Sequence, residues 1–306
     1  MRKYITNILL FFAIVVVIDL CIGYVGDYLQ AHAKGGNTRI LNDLVKNDHH
    51  DILILGSSRA HHHYDSPFLS DTLGLDVYNA GYDGNGVILA YGLLEMILER
   101  YQPKLILYDI EPSFDILIYQ NDNNNKRYLS SLKPYYKSVN VGKIIQDVSY
   151  EEWLKVHSGM LRYNSVIITM FMDYYRQYNK DELKSGFEPM TGNYSGMPLN
   201  GKKAERQHDT TKLNYLERIV SLSQSKGIPI AIIASPKYCD CLPSSLQPVN
   251  DICTRKGIPF LDYYSDERFM QHKELFKEPM HLNKDGARVF STLLINDINC
   301  LLNRKN

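Results

Sequence analysis

"ILILGSSRAHHHYDS", residues 52–66, decides how this chain folds. Four apolar residues in a row, with no polar alternation, describe a short strand buried on both faces, as in a parallel sheet covered by helices. The run begins at Asp51 and stops at Gly56, where Ser57, Ser58, Arg59 and three consecutive histidines follow. Such an ending fits a strand-to-helix turn presenting a nucleophile, a metal site, or an ordinary polar loop.

Outward from this strand the pattern repeats. "LDVYNA" (75–80) and "KLILYDI" (104–110) read as the next two strands, with the helix "GVILAYGLLEMILER" (86–100) between them and Pro103 after it. Further on, "TKLNYLERIVSLSQSKG" (211–227) is an amphipathic helix closed by Gly227, and "IPIAIIAS" (228–235) is a fourth strand. "VNDICTRKG" followed by "IPFLDY" repeats helix, glycine and strand, and "KDGARVFSTLLINDINCLL" supplies a last helix from residue 284. Five apolar strands separated by helices predict an α/β three-layer sandwich around a five-stranded parallel sheet, flavodoxin-like in order, with right-handed crossovers. Ligands on such sheets bind beyond the carboxyl ends of the strands, where Gly56-Ser57-Ser58 stands.

Residues 113–208 are too long for one crossover and form an insertion. They include an expected helix at "SGMLRYNSVIITMFMDYYRQY" (158–178), a polar tip "NDNNN" (121–125), and Tyr119, Tyr128, Tyr135, Tyr136, Tyr174 and Tyr175. Each tyrosine suits packing; as a group they suit a cap facing a substrate such as a sugar.

At 306 residues and 44% hydrophobic composition the chain can bury one substantial core or two small ones. Its 34 basic and 34 acidic residues leave a net charge of zero, so nothing points to nucleic acid. Before the core comes "ITNILLFFAIVVVIDLCIGYV" (5–25), close to the ~20 residues that cross a bilayer. Its length favours an uncleaved signal anchor over a cleaved signal peptide, for which "AHA" (31–33) is the weak alternative. Arg2 and Lys3 favour a cytoplasmic N-terminus, leaving the main domain periplasmic or extracellular. The expected organisation is an anchor over 1–26, a linker and first helix over 27–49, and the α/β domain over 50–306. Asp19 within the apolar run sits near its outer end and implies snorkelling or, as the sharper reading, a membrane partner. Cys239, Cys241 and Cys253 cluster, and a bridge or free buried thiols suit them better than a metal.

"FKEPMHLNKDGARVFS" places His281 before Asn283, a good cap for the last helix. In a sheet of this order the loop after the last strand approaches the loop after the first, so His281 can meet a serine of the Gly56 turn. A hydroxyl needs a base to become nucleophilic, and the base needs a carboxylate to hold its tautomer; Glu278, three residues before His281, can supply it. His61, His62 and His63 point in different directions on a helix, so they cannot all face one metal ion, and the expectation is that at most one lines a pocket and the rest are solvated.

These residues carry a resemblance. The chain resembles the SGNH (GDSL-type) hydrolase superfamily over residues 50–110 and 228–302. Gly56-Ser57-Ser58 matches the family's Gly-Asp-Ser, which implies Ser58 as nucleophile. Glu278-Pro279-Met280-His281 with Gly286 matches the late Asp-x-x-His block, with Glu for Asp, which implies Glu278 and His281 as its acid and base. "YNAGYDGNG" (78–86) resembles the second block and implies Gly81 as an oxyanion donor. The third block departs: Asp109-Ile110-Glu111-Pro112 has no Asn, and losing one oxyanion donor costs ~10²–10³ in rate. Either another group, Arg59 or Asn79, replaces it, or turnover is slow or specialised. With its anchor the chain is similar to a branch that includes the D-alanyl-lipoteichoic acid transfer protein and the accessory proteins of alginate O-acetylation. That resemblance implies an ester hydrolase or O-acyltransferase without cofactor or metal, acting on acyl (chiefly acetyl) esters of a cell-surface polysaccharide or other envelope polymer. Its implied partner is a multi-pass membrane O-acyltransferase. A non-catalytic polymer-binding partner of that enzyme and a structural envelope protein are the other readings.

Overall fold

A computed structural model describes residues 1–118, 125–164, 166–176, 185–200, 207–240 and 246–303. Tyr119, the tip at 121–124, the end of the expected 158–178 helix and Cys241 lie outside the described residues. The chain forms two compact units, one of residues 1–47 and 125–179, the other of residues 48–124 and 180–306.

The second unit holds the sheet. Its strands are β1 (Ile52–Gly56), β2 (Val77–Asn79), β3 (Leu105–Asp109), β4 (Ile230–Ala234) and β5 (Phe260–Asp262), in the order β2-β1-β3-β4-β5 and all parallel. Every residue of β1, β3 and β4 is buried, so both faces of the central strands are covered. On one side the helix Lys284–Asn303 packs against Ser58–His63 and Ser66–Leu73; elsewhere Val87–Leu98 packs against Thr210–Ser225. The apolar runs become strands because only a doubly covered parallel strand leaves no face for polar residues. The registers Gly56↔Asp109 and Asp109↔Ile233 bring the carboxyl ends of β1, β3 and β4 to one edge of the sheet.

The first unit is helical and, among the described residues, contains one helix long and apolar enough to cross a membrane, Arg2–Ala31. It spans 30 residues, about 45 Å at 1.5 Å per residue. Residues 2–18 are exposed, whereas Gly23, Gly26, Leu29 and Gln30 are buried. The partner of Asp19 is this chain's own helix Gly159–Tyr163: the carboxylate accepts from Ser158 Oγ (2.5 Å), Gly159 N (3.0 Å) and Met160 N (2.9 Å). An acid at a helix N-terminus satisfies orphan N–H groups and opposes the helix dipole. The two helices touch through glycines: a Cβ on Gly159 would lie 2.4 Å from Gly23 N. One turn on, Asp27 pairs with Arg162 (3.1 Å) and Lys137 (3.0 Å).

The helix expected over 158–178 is two helices, Gly159–Tyr163 and Ile167–Tyr175. The apolar periodicity runs through the break; Asn164, whose side chain competes for backbone groups, and β-branched Val166 stand where the helix is interrupted. Among the expected thiol cluster, Cys239 is disulfide-bonded, while Cys253 is a free thiol that burial pushes up to about 12.

Candidate active site

β1 ends at Gly56, where φ is +147° and a Cβ would lie 2.6 Å from Asp109 O. Only glycine tolerates both, and the sharp turn it permits starts the helix Ser58–His63 immediately beyond the sheet edge. Ser57 is fully buried, and its Oγ has no hydrogen-bond partner among the described residues. Ser58 is partly exposed, with its Oγ 2.8 Å from Nε2 of His281. The other ring nitrogen of His281 meets a Glu278 carboxylate oxygen. Glu278 also accepts from Met280 N at 2.9 Å, which anchors the carboxylate to its own loop. Burial works to raise Glu278, but the hydrogen bonds of His281 and Met280 and the charges of His281 and Lys237 outweigh it and hold the acid below its ordinary value. An ionised Glu278 requires a proton on Nδ1, which leaves the Nε2 lone pair facing the Ser58 hydroxyl. The sequence-predicted trio is therefore brought together in hydrogen-bonding order.

The loop carrying His281 is held by a residue that periodicity alone did not single out. His63 is fully buried; its Nε2 accepts from Leu282 N (3.0 Å), so its Nδ1 donates to Ser235 Oγ (2.9 Å). Burial, with the charge of Arg59 and the neighbouring rings of His281 and His62, pushes His63 well below the usual histidine range, matching the neutral tautomer. Ser235, at the end of β4, donates its N–H (2.9 Å) and its hydroxyl (3.1 Å) to Asp109 at the end of β3. Tyr64 donates to the same carboxylate at 2.9 Å. His62 is also buried, so the expectation that the rest of the histidine run is solvated does not hold: packing against the His281 loop and residues 185–190 covers two of the three.

The three residues considered as oxyanion donors are engaged within the fold. Arg59 is fully buried, pairs with Glu111 at 3.0 Å and donates to Ser235 Oγ at 2.9 Å and to Ser235 O. Burial opposes its charge, but Asp109 and Glu111 more than offset that and raise its affinity for the proton. Asn79 is buried and donates to Ala60 O (2.7 Å) and Tyr64 O (3.2 Å), pinning the helix that carries Ser58. Its Oδ1 accepts from Gly81 N at 3.0 Å, and a Cβ on Gly81 would lie 2.3 Å from His61 N. Replacing Arg59 by Met leaves Glu111 buried without its counter-charge, an expected loss of about 3–5 kcal/mol in stability. Chemical unfolding of the full chain in detergent measures it; a loss below ~1 kcal/mol would show that the pair does not hold the strand ends together.

At the mouth of the site, His61 and His62 stack with ring centroids 4.7 Å apart. Asp83 approaches His61 Nδ1 at 2.9 Å and His62 Nε2 at 3.3 Å, and Glu188 approaches His61 Nε2 at 3.7 Å. The rings of His62 and His63 stand edge-on to that of His281, with centroids at 5.6 and 6.0 Å. Comparison with known proteins adds no relative to this geometry: no protein-family model matches the chain, and a search of the curated proteins finds no match.

Proposed function

We propose that the chain is an envelope-anchored, SGNH-type serine esterase or O-acyltransferase that acts on acyl esters, chiefly acetyl, of a cell-surface polysaccharide. The observation that carries this reading is the 2.8 Å contact between Ser58 Oγ and His281 Nε2, with Glu278 on the far side of the ring. In the reaction Ser58 Oγ attacks the ester carbonyl while His281 Nε2 takes its proton, and Glu278 stabilises the imidazolium. His281 then protonates the departing sugar oxygen, leaving an acyl-Ser58 ester. Water attacking that ester completes hydrolysis; a hydroxyl of a second sugar completes transfer. Ser58, the first residue of its helix, has a backbone N–H with no intrahelical acceptor, which suits it to receive the developing oxyanion. The test is reaction of the purified chain with a fluorophosphonate probe and release of acetate from a small aryl ester. Absence of both would sink the catalytic reading.

The second reading is a non-catalytic polymer-binding partner of a multi-pass membrane O-acyltransferase. It is favoured by the third-block position, where Glu111 stands paired to Arg59 and no Asn side chain is offered. Polymer binding by a chain that neither labels nor turns over acetate would favour it.

The location proposed is a single membrane span by Arg2–Ala31 with the N-terminus inside and the α/β unit outside the cytoplasm, supported by Arg2 and Lys3 before the apolar run. A reporter fused after residue 60 is expected to be active only if it works in the periplasm or beyond. Activity of a cytoplasm-only reporter at that position would reverse the orientation.

A further inference from the structure

We propose that His61, His62 and Glu188 form a binding site for one divalent transition-metal ion of the zinc class, beside the Ser58–His281 pair. Donor atoms of His61, His62 and Glu188 all lie within 4.8 Å of one another. Asp83 lies 2.9 Å from His61 Nδ1, the nitrogen opposite the Nε2 that faces Glu188, and 3.3 Å from His62 Nε2, so it stands beside this trio. Adjacent histidines diverge on a regular helix, but here the rings stack at 28°, which sets their nitrogens side by side.

The site is built rather than incidental. Glu188 N donates to His61 O (3.2 Å), and His62 Nδ1 donates to Glu188 O (2.6 Å). Those two bonds fix the Glu188 backbone against the helix and commit one His62 proton to Nδ1. His62 Nε2 then faces the Asp83 carboxylate at 3.3 Å, a contact bridged by a proton and open to exchange for a metal ion. A ligating histidine whose other nitrogen donates to a backbone carbonyl is the usual support for a metal centre. Two imidazoles and the Glu188 carboxylate give a divalent ion three protein ligands and leave a position for water. Mixed imidazole and carboxylate donors suit zinc, cobalt, nickel or copper, whereas magnesium and calcium favour oxygen alone. The side chain of Glu188 is 69% exposed, so the ion has an open path and the carboxylate can close to the ~2.0–2.2 Å bond such ions require.

The experiment is titration of the full chain, purified in detergent and stripped with a chelator, with Zn²⁺ against a chromophoric chelator. One equivalent is expected to bind. His62→Ala is expected to weaken binding at least ~100-fold, beyond the ~10–100-fold cost of losing only a supporting partner. His61→Asn and Glu188→Gln, both at accessible positions, are expected to weaken it about tenfold or more. His272→Ala, at an exposed histidine elsewhere, and Ser58→Ala are expected to bind like the parent, so loss of the catalytic reading would leave the metal result standing. Binding of much less than one equivalent, or unchanged affinity in both His61→Asn and Glu188→Gln, would overturn the proposal and leave these contacts as proton-mediated ion pairs.

Discussion

Ser58→Ala is expected to abolish fluorophosphonate labelling and to lower acyl turnover by roughly 10⁴–10⁶, the range seen when the nucleophile of a cooperative serine–histidine–acid unit is removed. Ser57→Ala is expected to keep most of both. The neighbouring hydroxyls differ in surroundings. Ser58 Oγ is accessible and bonded to His281, while Ser57 Oγ is buried with no partner among the described residues. Deleting an unsatisfied buried hydroxyl removes a desolvation cost and leaves no orphan behind, so Ser57→Ala should be neutral or slightly stabilising. Labelling and rate both read the difference, and unfolding midpoints check that each variant is folded. Retained labelling in Ser58→Ala with loss in Ser57→Ala would move the nucleophile by one residue. Retention in both would remove the serine mechanism.

Much of the sheet was legible because its information is local. A fully apolar run such as Ile52–Leu55 admits few structures, and each of the five runs read as strands is a strand of one parallel sheet. The meeting of Ser58 and His281 was legible one level up, since a parallel sheet gathers its strand ends on one edge. What escaped lies in tertiary packing. Arg59 stands in the sequence as a candidate oxyanion donor, and only the pairing of β1, β3 and β4 shows it buried between Glu111 and Ser235. His63 was indistinguishable from its neighbours until Leu282 N was seen to donate to it. The helical unit joins residues 1–47 to 125–179, and no periodicity announces that Asp19 will cap a helix 140 residues away. Neither snorkelling nor a membrane partner describes the contact that Asp19 makes, which caps a helix of its own chain.

Glu278→Gln is expected to cost roughly 10⁴ in acyl turnover with little loss of stability. Glutamine keeps the size of the side chain, and its carbonyl can still accept from Met280 N. It cannot stabilise the imidazolium formed when Ser58 attacks. Its amide N–H₂, if turned toward the ring, favours the tautomer with the proton on Nε2, which removes the acceptor that Ser58 needs. The side chain is 40% exposed, so the lost charge is largely compensated by water in the resting fold. Because Glu278 is held below the ordinary glutamate value, near 4.3, it stays ionised at and above that pH, and the parent's activity there does not wait on its titration. The rival acids are committed elsewhere. Asp262 accepts from Tyr264 N at 3.0 Å, Asp266 from Arg268 N at 2.9 Å, and Glu274 pairs with exposed His272 at 2.8 Å. Asp266→Asn and Glu274→Gln are therefore expected to change turnover less than about twofold, a difference under ~0.5 kcal/mol. Full activity in Glu278→Gln would leave a Ser58–His281 dyad without an acid. A ~10⁴ fall in Asp262→Asn instead would move the acid to the end of β5 and require the His281 loop to fold over the opposite side of the ring.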